Sequence, residues 1–192
     1  MIDGEITTRK IVELLQKQDL PFHLTGGIVS SLYGEPRSTM DVDVVVKIPM
    51  EQVGHAKRIV ELLEKDFIVE LDACLEAIEH GTLFQAIDRE TYFKADIHVK
   101  GIVPLEFERS VRMEIFDGFI APVVSVEDAI LSKLLWINMG SNRSRQDVVR
   151  ILQNQHEMDT EYLETTAQQL GVEQILNEMK AIAESNDTNI IF

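Results

Sequence analysis

The chain has 192 residues, 45% hydrophobic and 27% charged, a balance that suits one globular domain, with or without a small helical appendage. Its formal net charge of −15 repels nucleic acid unless cations gather on one face, which argues against a general DNA or RNA binder. No apolar run reaches membrane-spanning length, the first residues lack the basic and apolar regions of a signal peptide, and the single cysteine, Cys74, leaves neither a disulfide nor a cysteine zinc cluster; a cytoplasmic protein is expected.

Ile6 to Leu20 sets Ile11, Leu14, Leu15 and Leu20 among polar residues and predicts an amphipathic helix. Pro21 to Thr25 predicts a short strand, with His23 read as a sheet-face histidine. Gly26 and Gly27 then open a short helix, Ile28 to Tyr33, and Gly34-Glu35-Pro36-Arg37 is a turn by composition. Asp41 to Val46 predicts a strand in which Asp41 and Asp43 project to one face while Val42, Val44 and Val46 enter the core. Two ionised carboxylates side by side on a buried strand repel and are costly to desolvate, and a divalent cation between them removes both costs. The two glycines, lacking Cβ atoms, let the backbone approach a ligand, and the helix after them directs N–H groups and a positive dipole at it. An anion at the glycines and a metal at the carboxylates, bridged by one molecule, describe a nucleoside triphosphate with Mg²⁺. Singly, either half also fits a tight turn or a solvated strand end; joined by Arg37-Ser38-Thr39 they point to a ligand.

The run Gly26-Gly27, thirteen residues, then Asp41-Val42-Asp43-Val44 resembles the signature of the DNA polymerase β-type nucleotidyltransferase superfamily. Gly34-x-x-Arg37-x-Thr39-x-Asp41 resembles the small prokaryotic branch that includes the AbiEii-type toxin nucleotidyltransferases. The resemblance runs over nearly the whole chain and is densest from Thr25 to Val46. It implies phosphate binding by Gly26, Gly27, the Ser30 hydroxyl, Arg37 and Thr39, and Mg²⁺ binding by Asp41 and Asp43.

Further on, Glu51 to Lys65 predicts a second amphipathic helix with Val53, Ile59, Leu62 and Leu63 inward. Phe67 to Leu71 predicts a strand, and Ala73 to His80 a short helix closed by Gly81. Thr82 to Asp88 and Tyr92 to Val99 read as strands joined by a hairpin turn. On the second, Asp96 shares a face with Lys94 and His98, which periodicity alone reads as a solvated face. The resemblance implies instead that Asp96 is the third metal-binding carboxylate, and holding two cations asks for such a ligand.

Leu105 to Ile115 predicts a helix carrying Arg109 and Arg112 on one side, followed by a turn at Asp117-Gly118 and a strand from Phe119 to Val124. Ser125 fits an N-cap ahead of an acidic first turn and the helix Ala129 to Met139. Lys133 interrupts that otherwise apolar helix and should have either a partner or a route to water; the resemblance implies a phosphate-binding lysine. A polar loop, Gly140 to Asp147, leads into the helix Val148 to Gln155. Asp147 reads as a first-turn helix charge, or, by resemblance, as a residue that orients or deprotonates an acceptor hydroxyl. Glu161 to Leu170 and Val172 to Ala183 predict two short helices about Gly171, before a polar end in which Ile190-Ile191-Phe192 is free to tuck back.

The expected fold is α/β: a small mixed sheet flanked by helices over residues 1–124, nucleotidyltransferase-like by resemblance, with a helical region over 125–192 packed on it. The expected activity is Mg²⁺-dependent transfer of NMP from an NTP to a protein side chain, an RNA 3′ end or a small molecule, with two ions when nucleotide is bound. The alternatives are a nucleotide-binding or toxin–antitoxin-type regulatory module without turnover, and an aminoglycoside-type modifying enzyme whose acidic pocket attracts a cationic sugar. Neither a membrane nor a broad nucleic-acid surface is expected as a partner; a protein partner or a second copy of the chain is.

Overall fold

The computed structural model describes residues 3–18, 20–48 and 53–185. Within them the chain runs α1 (Asp3–Gln16), β1 (Phe22–Thr25), α2 (Gly26–Tyr33), β2 (Asp41–Val46), α3 (Val53–Leu63), β3 (Phe67–Ile68), α4 (Leu71–His80), β4 (Leu83–Asp88), β5 (Lys94–His98), β6 (Val111–Phe116), β7 (Phe119–Val123), α5 (Val126–Asn138), α6 (Asn142–Asn154), α7 (Thr160–Gln169) and α8 (Glu173–Ser185). The strands form one mixed sheet in the order β3-β4-β5-β2-β1-β7-β6. The α/β architecture expected from the sequence is therefore present.

Strand β2 lies at the centre of the sheet, with one apolar face and one that carries two aspartates. Val42 and Val44 are fully buried and Val46 nearly so, while Asp41 and Asp43 alternate onto the opposite face. It pairs antiparallel with β1 and parallel with β5, and β7 joins the far side of β1 in parallel. Strand β5 repeats the alternation, with Ala95 and Ile97 buried and Lys94, Asp96 and His98 on the polar face. Buried residues of α1 (Ile11, Val12, Leu15) and α3 (Ile59, Val60, Leu63) join the core that the valines of β2 enter.

Helix α5 anchors the second half of the molecule. Ala129, Ile130, Leu131 and Leu134 are buried along it, and α6, α7 and α8 all pack against it. Its start is fixed as the sequence predicts: the Ser125 hydroxyl accepts from the Asp128 N–H at 3.2 Å. The Tyr33 hydroxyl donates to the Val124 carbonyl at 2.9 Å and the Gln155 amide donates to the Tyr33 carbonyl at 2.7 Å, tying α2 to both ends of the α5–α6 unit. No helix among the described residues is long and apolar enough to cross a membrane.

Three expectations are corrected. Leu105 to Ile115 is not a helix: residues 104–108 turn, with Leu105 at φ +63, and Val111–Phe116 is strand β6, antiparallel to β7. The left-handed residue stops helical propagation, and Asp117-Gly118, with Gly118 at φ +64, closes a hairpin instead. Phe67 to Leu71 is a strand only as far as Ile68, because Leu71 already opens α4 with Asp72 in its first turn. Gly140 to Asp147 is not a loop throughout. Ser141 caps α6, accepting from the Ser144 N–H, and Ser144, Asp147, Val148 and Ile151 form one buried helical face at i, i+3, i+4, i+7. Glu51 and Gln52, the Val53 side chain and Ile190-Ile191-Phe192 lie outside the described residues.

Leu134, fully buried where α5 meets the core, tests this packing. Leu134→Ala is expected to lower the unfolding free energy by about 2–5 kcal/mol, measured by urea denaturation, with little change in the denaturant slope.

Candidate active site

The polar face of β2 and β5 meets the N-terminal end of α2 at a cavity of about 310 Å³. The glycine turn forms one wall, and both glycines are required there. Gly26 is left-handed, at φ +63, and a Cβ on it would run into the Asp43 carboxylate; a Cβ on Gly27 would run into the Thr39 hydroxyl. The Gly27 N–H faces the Asp43 Oδ2 at 3.4 Å. The start of α2 and the acidic strand are thus seated directly on each other. Gly26, Gly27, Arg37 and Thr39 line the cavity. Ser30 does not: its hydroxyl donates to the Gly26 carbonyl at 2.7 Å and it is buried inside the helix packing.

The carboxylates form the floor. Parallel pairing of β2 with β5 sets Asp43 opposite Asp96 and Asp41 opposite Lys94, and all three aspartates line the cavity. Each is turned to its own partner. The Asp41 Oδ1 accepts from the Thr39 hydroxyl at 3.0 Å. Asp43 has the Gly27 N–H on one oxygen and the His98 Nε2 3.7 Å from the other. Burial by itself pushes the Asp43 carboxyl up, but His98, the Gly27 N–H and the Lys133 charge together hold it below the usual carboxylate range. Asp96 accepts from the Gln85 amide at 3.0 Å and meets the Lys94 ammonium at 3.1 Å. The same ammonium is 3.9 Å from Asp41.

Three carboxylates on one face of two adjacent strands are the all-oxygen donor set that Mg²⁺ takes, so the residues fit such an ion chemically. Among the described residues no three metal-ligating side chains already converge on one point. Lys94 lies between two of the carboxylates and draws their oxygens toward itself.

The third feature is a buried cluster spanning both halves of the chain. The Arg37 Nε and Nη2 donate to the two Asp147 oxygens at 2.8 Å each, and the Lys133 Nζ donates to the Asp147 Oδ2 at 2.8 Å. Lys133 therefore has the partner that its apolar helix requires. Burial pushes the Lys133 ammonium down, with Asp147 opposing it; burial pushes Asp147 up, but the two cations outweigh it and leave its pKa lowered. In this arrangement Asp147 is a weak base and a strong anchor for two cations. It keeps both at the cavity wall.

Several cavity residues were not singled out by the sequence. His98 read only as a member of a solvated face, although register places it beside Asp43. Trp136, half-exposed at the cavity edge, lies three residues after Lys133, a spacing that puts both on one helix face. Glu106 fell inside the segment read as helix. It is 3% exposed, its Oε1 has no hydrogen-bond partner, and it lies 4.0 Å from the Nε2 of fully buried His23, whose two ring nitrogens are also unpartnered. Burial pushes Glu106 up to about 7 and His23 down to about 4.

No protein-family model and no curated protein matches the chain. Its sheet and flanking helices are those of the nucleotidyltransferase-like fold. An antigenic nucleotidyltransferase-like protein from Paracoccidioides brasiliensis is similar to it with a TM-score of 0.59 at 14% identity, over 95% of this chain and 93% of that one. The antibiotic-resistance factor ANT(2'')-Ia is similar with a TM-score of 0.50 at 18% identity, over 98% and 96%. At such identities the likeness establishes the fold, and the site must be argued from its own residues.

Two measurements test this geometry. Gly26→Ala forces an alanine into the left-handed region and against Asp43, and is expected to cost about 1–3 kcal/mol of stability by urea denaturation. The second concerns pH. Glu106, protonated in the folded chain up to about 7 and ionised in the unfolded chain above 4.5, makes stability fall as pH rises between those values. His23, neutral in the folded chain down to about 4 and protonated in the unfolded chain below 6.5, makes it rise. The two slopes oppose each other between 4.5 and 6.5. Glu106→Gln is expected to uncover the His23 slope, so that the mutant gains stability relative to wild type with rising pH, by about 1 kcal/mol per unit.

Proposed function

We propose that the chain is a metal-dependent nucleotidyltransferase that moves NMP from an NTP to an acceptor nucleophile. The observation that carries this reading is the register of β2 against β5, which sets Asp43 opposite Asp96. Those carboxylates share a cavity with the glycine turn and with the Arg37–Asp147–Lys133 cluster. A cavity with carboxylates on its floor, and with an N–H-rich turn and cations that include Arg37 and Lys133 on its wall, suits a ligand carrying both signs of charge, as a triphosphate with its cations does.

In this reading the backbone at Gly26 and Gly27 and the start of α2 attract the phosphates, and Arg37 and Lys133 supply positive charge from the wall. Asp147 positions those two cations. Asp41, Asp43 and Asp96 would hold Mg²⁺, two ions when nucleotide is bound, and the ions would neutralise triphosphate charge and acidify the acceptor hydroxyl. The acceptor oxygen forms a bond to the α-phosphorus as the bond to the bridging oxygen breaks. Pyrophosphate departs, and the acceptor's proton goes to a carboxylate of the same face or to water. Trp136 at the rim offers a flat surface to a base or an acceptor ring. The finer assignment, to the branch resembling AbiEii-type toxin nucleotidyltransferases, rests on Arg37, Thr39, Lys133 and Asp147 in their sequence context.

A second reading, nucleotide binding without turnover in a toxin–antitoxin-type regulatory module, is favoured by one observation: Lys94 lies between Asp41 and Asp96 at 3.9 and 3.1 Å. Calorimetric titration of each NTP with Mg²⁺ tests the site common to both readings. Wild type is expected to bind at least one NTP in a metal-dependent way, and Asp41→Ala/Asp43→Ala to lose that binding. Absence of binding by wild type at about millimolar nucleotide, the usual upper range of substrate affinities, would sink both. Release of pyrophosphate from the bound NTP on adding a cytosolic extract separates the first reading from the second.

A further inference from the structure

Lys94 carries a charge that opposes the proposed chemistry. A lysine directly opposite Asp41 in the β2–β5 register, on the same face as three aspartates, puts a cation where the carboxylates would otherwise repel one another. Its Nζ stands 3.1 Å from Asp96 and 3.9 Å from Asp41. An ammonium so placed engages the oxygens that a divalent cation would need, and two cations cannot share them without strong repulsion. Nor is the ammonium locked in. Its side chain is 34% exposed, and an ion pair of that exposure is cheap to break.

We infer that Lys94 is a resident counter-cation for Asp41 and Asp96, which an incoming divalent metal must displace, and that it therefore weakens metal binding by the free protein. The inference rests on the reading of Asp41, Asp43 and Asp96 as the metal-binding carboxylates. With Lys94 in place the floor of the cavity is partly neutralised in the absence of metal, so the carboxylates keep their positions on adjacent strands. Once displaced, the ammonium swings toward solvent or toward the phosphates that arrive with the metal. Lys94 thus disfavours metal alone and leaves binding to the metal–nucleotide complex, which brings negative charge for the lysine as well as positive charge for the aspartates. A merely structural ion pair would stabilise the strands without touching metal affinity.

The test is direct titration with Mn²⁺, read by calorimetry and by loss of the free-ion electron paramagnetic resonance signal, without nucleotide. Wild type, Lys94→Met, Lys94→Gln, Lys94→Arg and Asp41→Ala/Asp43→Ala are compared. Lys94→Met and Lys94→Gln are expected to bind Mn²⁺ about tenfold more tightly than wild type, the order expected for removing one partly screened charge. Lys94→Arg, which keeps the charge, should stay weak. In EDTA the two neutral variants should melt below wild type, and Mn²⁺ should restore more of their melting temperature than it adds to wild type. Equal Mn²⁺ affinity in wild type and both neutral variants, with loss in the double aspartate variant, would overturn the role of Lys94 and leave the metal site standing. Affinity unchanged in the double aspartate variant would overturn the site itself, and the inference with it.

Discussion

The parallel pairing of β2 with β5 is the constraint on which the rest of the site depends. Side chains alternate along each strand, so the register that places Val42 beside Ala95 and Val44 beside Ile97 in the core also places Asp43 beside Asp96 on the opposite face. A slip of one residue would send the aspartates into the core and the valines into the cavity. The acidic floor is therefore held in place by hydrophobic burial on the reverse side of the sheet. Carboxylates that repel one another need such an external restraint, since their own interaction pushes them apart.

The glycine turn is fixed to that floor by steric exclusion. Only a residue without Cβ fits between the start of α2 and Asp43, and only such a residue adopts the Gly26 backbone without strain. The same closeness lets the Gly27 N–H reach the Asp43 carboxylate. From there the helix delivers Tyr33 to the Val124 carbonyl, so the orientation of the turn is coupled to the start of α5 and, through it, to Lys133. Local backbone chemistry and distant helix packing converge on one cavity.

The sequence made the centre of this arrangement legible because each part is written in a short span. The strand Asp41–Val46 declares itself by alternation, the α2 turn by its paired glycines, and the α5 cap by Ser125 followed by acidic residues. What stayed illegible depends on contacts between distant positions. Arg37 and Asp147 are 110 residues apart, and neither their pairing nor the third partner Lys133 has a local signature. Leu105 to Ile115 misleads for a different reason. Its spacing admits a helix, and only the left-handed Leu105 and the Asp117-Gly118 turn, acting at its two ends, settle it as turn and strand. Glu106 was lost with that segment. Asp96 is intermediate: its strand is legible, but its place opposite Asp43 depends on the neighbour across the ladder, which the sequence does not show.

Charge balance links these parts. In a chain of net charge −15, Lys94 meets Asp96 and Asp41, and Lys133 and Arg37 meet Asp147, while Arg143 on the same cavity donates to the Ser38 carbonyl. Under the proposed function, an anion that engages Arg37 or Lys133 competes with Asp147, and a cation that engages Asp96 competes with Lys94. The first exchange leaves the buried Asp147 carboxylate without one of its partners, which is costly where water is partly excluded, whereas the half-exposed Lys94 pair is cheaper to open. A ligand carrying both charges supplies a new partner for each group it releases, so the exchange leaves no orphan. Under the proposed function, these existing pairs favour a ligand that carries metal and phosphate together over either one alone.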